Sequence, residues 1–520
     1  MRRQSAESGG RDFLRFEGRA MTFGDVERRS NQVAAVLRAR GVRAGDRVGQ
    51  MLPNGFEFPV GWLALAKLGA VLVPLNVQYR RHDLAYALDD SGASIVLAAP
   101  EHAPSVRDAR GGLPALREVI EVPALAYAEP PGEGFGAEVA AAPAAFEIDG
   151  VGHDTLLNIQ YTSGTTGAPK GCMLTHEYWL LIAERSRDFA RMSAGDVALT
   201  AQPFYYMDPQ WNTLMCALAG VPLQILPRFS PSTFWRSVRD SGATFLYLLG
   251  TMPVYLLKQP PDPEAERGHR LRFVACSGIV PSMHATFEER WGVPWREAFG
   301  MTETGVDLVV PIEDAASVGT GAMGRPVPGK EAKVVAADGT SLGDGEVGEL
   351  AVRGRPMMRG YWNKPEATAE RIRDGWLHTG DLAYRDAGGY YHLVGRLKDM
   401  IRRSGENVSA AEVEGVLAQH PAVRAAAVVP VADELRGEEV KAFIQLQPGE
   451  APDDATAASI VAWTRERLAA FKVPRFVEFV DDFPRTPSER VEKHTLLARR
   501  ADQREGCWDA QSAVFPPEGR

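Results

Sequence analysis

An α/β fold, with a large N-terminal domain and a small α+β C-terminal domain, is what this sequence predicts on three observations. Strand-like and helix-like stretches alternate from Thr22 to Ala98 and resume from Leu156 to Cys276, the rhythm of α/β units on a largely parallel sheet. From Lys330 to Arg359 short β runs follow, separated by turns such as Ala337-Asp338-Gly339 and Gly343-Asp344-Gly345. Past a cluster of charges at Gly395–Arg403, Ser409-Ala410-Ala411-Glu412 opens a helix, and a segment of about 100 residues follows, a normal domain size.

In chain order, Thr22-Phe23-Gly24-Asp25 is a capping box for a helix through Leu37, with Val26, Val33, Val36 and Leu37 on one face. Gly41 ends it. Val48–Leu52 then reads as a strand, followed by a helix to Leu68, a strand Val71–Leu75, a helix near Leu84–Leu88 and a strand Ser94–Ala98. Pro104–Pro143, rich in Ala, Pro, Gly and Glu, is expected to wander over the surface. Leu156–Gln160 reads as a short buried strand and Glu177–Met192 as a helix. Strands are expected at Val197–Gln202, Pro222–Leu226, Thr244–Leu249 and Leu271–Cys276. The C-terminal part offers a helix to Gln419, strands Val423–Pro430 and Ala442–Leu446, and a helix Ala457–Leu468. The tail from Arg500, charged and then rich in Gly and Pro, is expected to be disordered.

At 520 residues the chain exceeds one ordinary core, so two or more domains are expected. The net charge of −9 argues against nucleic acid as a partner. Cys172, Cys216, Cys276 and Cys507 lie far apart with no C-x-x-C, so neither a disulfide framework nor a zinc site is indicated and a reduced, cytoplasmic setting fits. Met1–Asp12 has no apolar core of a signal peptide. Val60–Leu75 is too short to span a bilayer and contains Lys67, so no membrane partner is expected.

The chemistry centres on Tyr161-Thr162-Ser163-Gly164-Thr165-Thr166-Gly167-Ala168-Pro169-Lys170-Gly171. Glycines let the backbone approach an anion closely, successive N–H groups make a concave anion site, and hydroxyls add donors. Lys170 supplies a mobile positive charge. The plain alternative is a polar surface loop. It is not a Walker A loop, because Pro169 precedes the lysine and Gly171 follows it. Downstream, Phe299-Gly300-Met301-Thr302-Glu303-Thr304-Gly305 places a carboxylate in a Gly/Thr turn. Alone it is an exposed acidic turn; beside a phosphate loop, one carboxylate is what Mg²⁺ carrying phosphates and water requires. Gly375-Trp376-Leu377-His378-Thr379-Gly380-Asp381, Gly395-Arg396-Leu397-Lys398-Asp399-Met400-Ile401 and Arg402-Arg403-Ser404-Gly405-Glu406-Asn407-Val408 complete the set.

In order, and over about residues 20–497, these stretches resemble the signatures of the adenylate-forming (ANL) superfamily, most of all AMP-dependent acyl-CoA ligases of the crotonobetaine/carnitine type. The resemblance implies an ATP- and substrate-binding domain of αβα sheets with a β subdomain over 1–396, a small mobile lid over 397–499, and a tail at 500–520. It implies ATP, Mg²⁺ and coenzyme A, a small-molecule acid as substrate, and a monomer or homodimer. By the same resemblance Thr162 to Gly167 and Lys170 bind phosphates, Glu303 is the magnesium ligand, Thr302 contacts phosphate and Phe299 lies against adenine. Asp381 would accept the ribose hydroxyls, Arg396 would contact ribose and phosphates, Lys398 sits at the hinge, and Gly405 would let a pantetheine chain pass. The acyl pocket would be framed by Tyr205, Tyr206, Trp211, Tyr247, Gly278, Ile279 and Phe299, leaning toward an aromatic or short unsaturated acid. Read singly, these are ordinary core aromatics.

Two departures stand out. The superfamily's Pro-Arg-Thr-x-Ser-Gly-Lys appears here as Pro484-Arg485-Thr486-Pro487-Ser488-Glu489-Arg490, with Lys493 one turn later. Either Arg490 or Lys493 keeps the charge of the usual catalytic lysine, or a step differs, or the C-terminal group contributes little. Arginine and lysine are not equivalent at a tight site. Tyr206 stands where many acyl-CoA ligases have His, and Asp208 and Asp307 offer carboxylates to an amino-bearing substrate. Rival readings are adenylation with a non-CoA acceptor, including an ATP-dependent diazotase acting on nitrite, and a non-catalytic nucleotide-binding scaffold. The charged set Lys170, Glu303, Asp381 and Arg396 argues against the scaffold.

Overall fold

The computed structural model describes residues 1–128, 133–162, 169–249, 252–397, 399–403, 406–433, 436–485 and 491–510. Two compact units emerge: Met1–Ala332 with Val352–Leu377, and Lys333–Ala351 with His378–Arg520. The mixed α/β character expected from the alternating pattern is what the chain adopts.

The first unit carries two sheets. One orders its strands Glu118–Glu121, Ile95–Ala98, Arg47–Met51, Val71–Pro74, Leu156–Thr162 and Lys170–Thr175. All its pairings are parallel except the last. The other runs, within this unit, Ala322–Pro326, Gly305–Val309, Trp295–Met301, Phe273–Ser277, Phe245–Leu249, Ala198–Thr200, Leu223–Ile225, Asp12–Phe16 and Arg19–Thr22. Its middle is parallel and both ends are antiparallel.

Local sequence explains the helices that cover these sheets. Helix Phe23–Ala39 starts on the capping box: Asp25 N donates to Thr22 Oγ1 at 3.1 Å and Thr22 N to Asp25 Oδ2 at 3.0 Å. Val26, Val33, Val36 and Leu37 are all buried, as their spacing requires. Helix Glu57–Leu68 is apolar nearly all round and is buried accordingly. Its Lys67 gives its ammonium to Glu27 at 2.9 Å and to Ser30 Oγ and Asn31 Oδ1, both at 2.7 Å. Below the second sheet, Trp235, Phe287, Trp291 and Trp295 pack in one cluster, Trp291 and Trp295 with ring centroids 5.0 Å apart.

The stretch 104–143 departs from the expected surface meander. It contributes helix Ala103–Ala109, the edge strand Glu118–Glu121 and helix Phe135–Ala141, and it buries Tyr127, Phe135 and Val139. A four-residue edge strand is too short to show a period, and the Ala/Pro/Glu background masks its apolar residues.

In the second unit a twisted sheet orders Glu406–Ser409, Met400–Arg403, Gly437–Leu446, Phe476–Phe479 and Trp508–Asp509, with Val423–Asp433 also on Gly437–Leu446. Helix Ala410–Leu417 starts at Ser409, whose hydroxyl accepts from Glu412 N at 3.3 Å. Together with helix Asp454–Arg465 it buries Val413, Leu417 and Ile460 against Ile401, Val428 and Val440.

The tail is structured as far as residue 510, against the expectation of disorder from Arg500. Trp508–Asp509 pairs antiparallel with Phe476–Phe479, and Asp509 takes both Nε and NH2 of Arg475, at 3.1 and 3.2 Å. Buried Lys441 donates to the Gln503 carbonyl at 2.7 Å. Residues 511–520 lie outside the described residues. Among the described residues no helix is long and apolar enough to cross a membrane. A chain ended after Arg499 is therefore expected to melt roughly 5–10 °C lower in calorimetry; an unchanged transition would show that the final strand contributes nothing.

Candidate active site

The hairpin Leu156–Thr162 and Lys170–Thr175 positions those residues of the Tyr161–Gly171 stretch that the structure describes. Thr162 and Lys170 are register partners, and Thr162 Oγ1 donates to the Lys170 carbonyl at 3.3 Å. Ser163, Gly164, Thr165, Thr166 and Gly167 lie outside the described residues. The segment Arg359–Trp362 runs beside the hairpin: Arg359 N donates to Met173 O at 2.9 Å and Trp362 N to Gly171 O at 2.8 Å. That brings the Tyr361 ring to the Lys170 ammonium, 5.3 Å from Nζ to the ring centroid.

Glu303 sits in the turn between strands Trp295–Met301 and Gly305–Val309. A Cβ on Gly300 would collide with the Gly305 carbonyl, so the strand entering the turn needs glycine there. Four buried groups pin the turn. Tyr178 OH donates to Thr302 O at 2.9 Å and Met358 N to Glu303 O at 2.7 Å. Lys330 Nζ donates to Thr304 O at 2.8 Å, and Tyr361 OH to Glu303 Oε1 at 2.7 Å. Burial first, then the Glu303 charge, pushes the Tyr361 phenol well above its ordinary range, so it stays a donor. Glu303 itself is 6% exposed and pairs with no cation among the described residues. A buried carboxylate with one oxygen committed to a phenol and no ion-pair partner among the described residues suits a bound Mg²⁺. Among the described residues no group of three or more His, Cys, Asp or Glu is placed to hold a metal, so phosphates and water would complete such a site.

Asp307 does not face a substrate. Its carboxylate lies 3.0 Å from Lys330 Nζ, both side chains wholly buried, and it also accepts from Thr304 Oγ1. Burial raises the Asp307 carboxyl and lowers the Lys330 ammonium, each opposed by the partner's charge. The pair joins three distant segments, since Lys330 Nζ also donates to the Pro356 carbonyl.

Four of the residues expected to frame the acyl group form two aromatic pairs. Tyr205 and Tyr206 meet edge to face with centroids 4.7 Å apart, and Trp211 meets Tyr247 at 5.4 Å. Tyr247 OH is 2.6 Å from Ser277 Oγ, which leads into Gly278 and Ile279. Their N–H groups donate to the two oxygens of Glu297, at 2.6 and 2.8 Å. Burial pushes the Glu297 carboxyl up to about 7 and the Asp208 carboxyl up to about 6, the latter beside Trp211 Nε1 at 3.4 Å. Phe299 is half-buried on the strand that leads to Glu303.

A polar network invisible to sequence reasoning holds the 202–206 loop. Asn158, read as part of an apolar run, accepts from Trp62 Nε1 at 2.9 Å and donates to Gln210 Oε1 at 2.8 Å. Gln210 Nε2 donates to the carbonyls of Phe204 and Tyr206, both at 2.9 Å, and Gln160 Nε2 to that of Tyr205 at 2.8 Å. Asn158 and Gln210 are fully buried, so each amide needs these partners.

In the second unit Asp381 and Arg396 are register partners on adjacent strands, with Arg396 Nε 3.4 Å from Asp381 Oδ1. Asp381 N donates to Thr379 Oγ1 at 3.1 Å. Lys493 Nζ lies 2.8 Å from Glu414 Oε1 and 3.8 Å from Asp399 Oδ2. Glu414 also accepts from Val428 N at 2.7 Å. Lys398, Gly405 and Arg490 lie outside the described residues. Cys172 and Cys276 are buried and free, their thiols pushed up chiefly by burial.

Sequence reasoning missed Tyr361, Lys330 and the Asn158–Gln210 amides. Gly360-Tyr361-Trp362-Asn363-Lys364-Pro365, an aromatic pair running into a turn, was the one available signal.

A family model described as AMP-binding enzyme matches residues 1–362, and one described as AMP-binding enzyme C-terminal domain matches 412–490. A feruloyl-CoA synthase from Amycolatopsis sp is 35% identical over 94% of this chain and 95% of its own. A crotonobetaine/carnitine–CoA ligase from Salmonella arizonae is 31% identical over 91% and 92%. The crystal structure of ATP-bound MatB from Rhodopseudomonas palustris superposes with a TM-score of 0.84 at 30% identity, over 94% of this chain and 95% of that one.

Replacing Lys330 by Met leaves Asp307 buried and unpaired and is expected to cost about 3–5 kcal/mol, whereas K330M/D307L recovers most of that loss. Denaturant unfolding of the two variants checks this; equal losses would mean that the pair's charges are not what the site depends on.

Proposed function

This chain belongs to the AMP-binding enzyme family and is an AMP-forming ligase, and from that premise we propose that it joins a small aromatic or unsaturated carboxylic acid to the thiol of coenzyme A. A carboxylate oxygen of the acid attacks the α-phosphorus of ATP, the bond to the bridging oxygen breaks, and pyrophosphate leaves. The coenzyme A sulfur then attacks the acyl carbon of the mixed anhydride, and AMP leaves with the electron pair. Positioning and fixed charge supply most of the rate, since no protein group becomes covalently bound.

Lys170 and the hydroxyls of the Thr162–Gly167 loop cradle the phosphates, with Thr302 beside them and Phe299 against the adenine. Asp381 accepts the ribose hydroxyls and Arg396 contacts ribose and phosphate. Glu303 would hold Mg²⁺, which when bound neutralises phosphate charge as pyrophosphate departs. Tyr205, Tyr206, Trp211, Gly278 and Ile279 frame the acyl group. The observation that carries this reading is the convergence of Lys170 and Glu303 on Tyr361, an ammonium and a carboxylate that make no ion pair among the described residues. The aromatic preference rests on the Trp211–Tyr247 and Tyr205–Tyr206 pairs and accords with the feruloyl group in one relative's name.

Residues 1–396 form the adenylation domain in this reading, and 397–499 the lid, turning at Lys398 and presenting Gly405 to the thiol. The enzyme works as a cytoplasmic monomer or homodimer. The charge at the missing catalytic lysine comes from Arg490, because Lys493 is already committed to Glu414 and Asp399.

Pyrophosphate release from Mg·ATP, measured across aromatic and short acids with and without coenzyme A, tests the reading. Release with an aromatic or unsaturated acid, and a thioester mass formed only with coenzyme A, is expected. Activity confined to nitrite plus an aminoarene, included in the panel, would replace the acid substrate. Within that assay Arg490→Ala is expected to slow pyrophosphate release by about 100-fold or more. Lys493→Gln, by contrast, lowers the melting temperature but keeps release within about tenfold. The reverse ranking would return the catalytic charge to Lys493.

A further inference from the structure

Resting on the assignment of Glu303 and Lys170 to the metal and phosphates, we propose that Tyr361 is a positioning residue for both, its hydroxyl orienting the Glu303 carboxylate and its ring carrying the Lys170 ammonium.

Tyr361 OH reaches Glu303 Oε1 at 2.7 Å, a charge-assisted bond that holds the carboxylate to one rotamer. Only one oxygen is engaged, and the other makes no hydrogen bond or ion pair among the described residues. The same ring lies 5.3 Å from Lys170 Nζ, inside the range in which an ammonium is drawn to an aromatic face. A lysine on a flexible stem thus gains a seat beside the carboxylate that completes the site.

Tyr361 can serve as a reference point because it is fixed itself. It is 5% exposed, and its N–H donates to Thr368 Oγ1 at 2.9 Å. It bridges Cys172 in the phosphate hairpin, while its neighbours Arg359 and Trp362 bond to Met173 and Gly171. Gly360 before it has φ 135°, and a Cβ there would lie 2.8 Å from Thr368 Cγ2, so only glycine lets the ring enter at this angle. Tyr361 is thus locked to the strand that carries Lys170 while its hydroxyl reaches the turn that carries Glu303.

Mn²⁺ is the probe, followed by its electron paramagnetic resonance as it is titrated into the full chain with α,β-methylene ATP, which cannot be cleaved to pyrophosphate. Wild type, Tyr361→Phe, Glu303→Gln and the double variant are compared. Tyr361→Phe keeps the ring and its volume, and melting curves confirm that it is folded. It is expected to weaken Mn²⁺ about tenfold, the usual consequence of losing a partner that orients a metal ligand, and to add nothing in the Glu303→Gln background. Tyr361→Leu, which also removes the ring, is expected to weaken metal-free nucleotide binding several-fold, where Tyr361→Phe leaves it unchanged. Mn²⁺ affinity within twofold of wild type in Tyr361→Phe, or equal losses in both backgrounds, would overturn the proposal. If wild type itself bound no Mn²⁺ with the nucleotide, the assignment of Glu303 would fall first, and Tyr361 with it.

Discussion

The buried ion pair between Lys330 and Asp307 is the constraint on which the rest of the site depends. Both side chains are wholly removed from water, and burying two charges is repaid only when geometry is good and the remaining donors are satisfied. Here they are: Lys330 gives further hydrogen bonds to the carbonyls of Thr304 and Pro356, and Asp307 takes the Thr304 hydroxyl. The pair gathers the Glu303 turn, the start of a later strand and the segment leading to Tyr361. An apolar substitute could fill the same volume, but it could not hold two carbonyl oxygens in register. The pair's value is positional.

A second constraint acts on the 202–206 loop through neutral groups. Asn158, Gln160 and Gln210 are inside the protein, and an unsatisfied amide there would cost free energy comparable to a lost hydrogen bond. Gln160 and Gln210 donate to the backbone carbonyls of Phe204, Tyr205 and Tyr206, and Asn158 donates to Gln210, so the loop that carries Tyr205 and Tyr206 can satisfy the amides in only a narrow range of conformations. Glu297 performs the same task for Gly278 and Ile279 with a carboxylate. Thus the 202–206 loop and the Gly278–Ile279 turn are each held by polar side chains from elsewhere in the chain.

What could be read from the chain beforehand divides along the range of the interactions. The Thr22–Asp25 capping box, the helix at Glu57–Leu68 and the strand preceding the phosphate loop depend on neighbours a few residues away, and their residue patterns declared them. The Glu303 turn and the Asp381–Arg396 strands were legible as motifs because they are short and dense. The edge strand Glu118–Glu121 and the closing strand Trp508–Asp509 were not, since each is too brief to show a period and is defined by a partner elsewhere. Nor could spacing reveal that Asp307 belongs to Lys330 or Tyr361 to Glu303, since long-range pairs leave no local pattern. Asp307, read as a possible substrate contact, is the instructive failure. A carboxylate near a motif was recognised, but its partner lay beyond any sequence window.

The same distinction bears on the altered C-terminal motif. Arg490 and Lys493 both carry the required charge, and spacing alone left them equivalent. The partners of Lys493 bear on the choice. Lys493 faces Glu414, whose carboxyl is raised chiefly by burial and drawn down again by the lysine charge, and withdrawing the lysine would strand that carboxylate among the Val428 backbone and Asp399. A cation that must leave such a partner to meet a substrate carboxylate would give up one charge-assisted interaction to gain another, with little net drive. An arginine's planar fork can engage a carboxylate and a phosphate oxygen together, which a lysine's point charge does less well. Lys493 therefore ties the start of helix Lys493–Leu497 to Glu414 and Asp399.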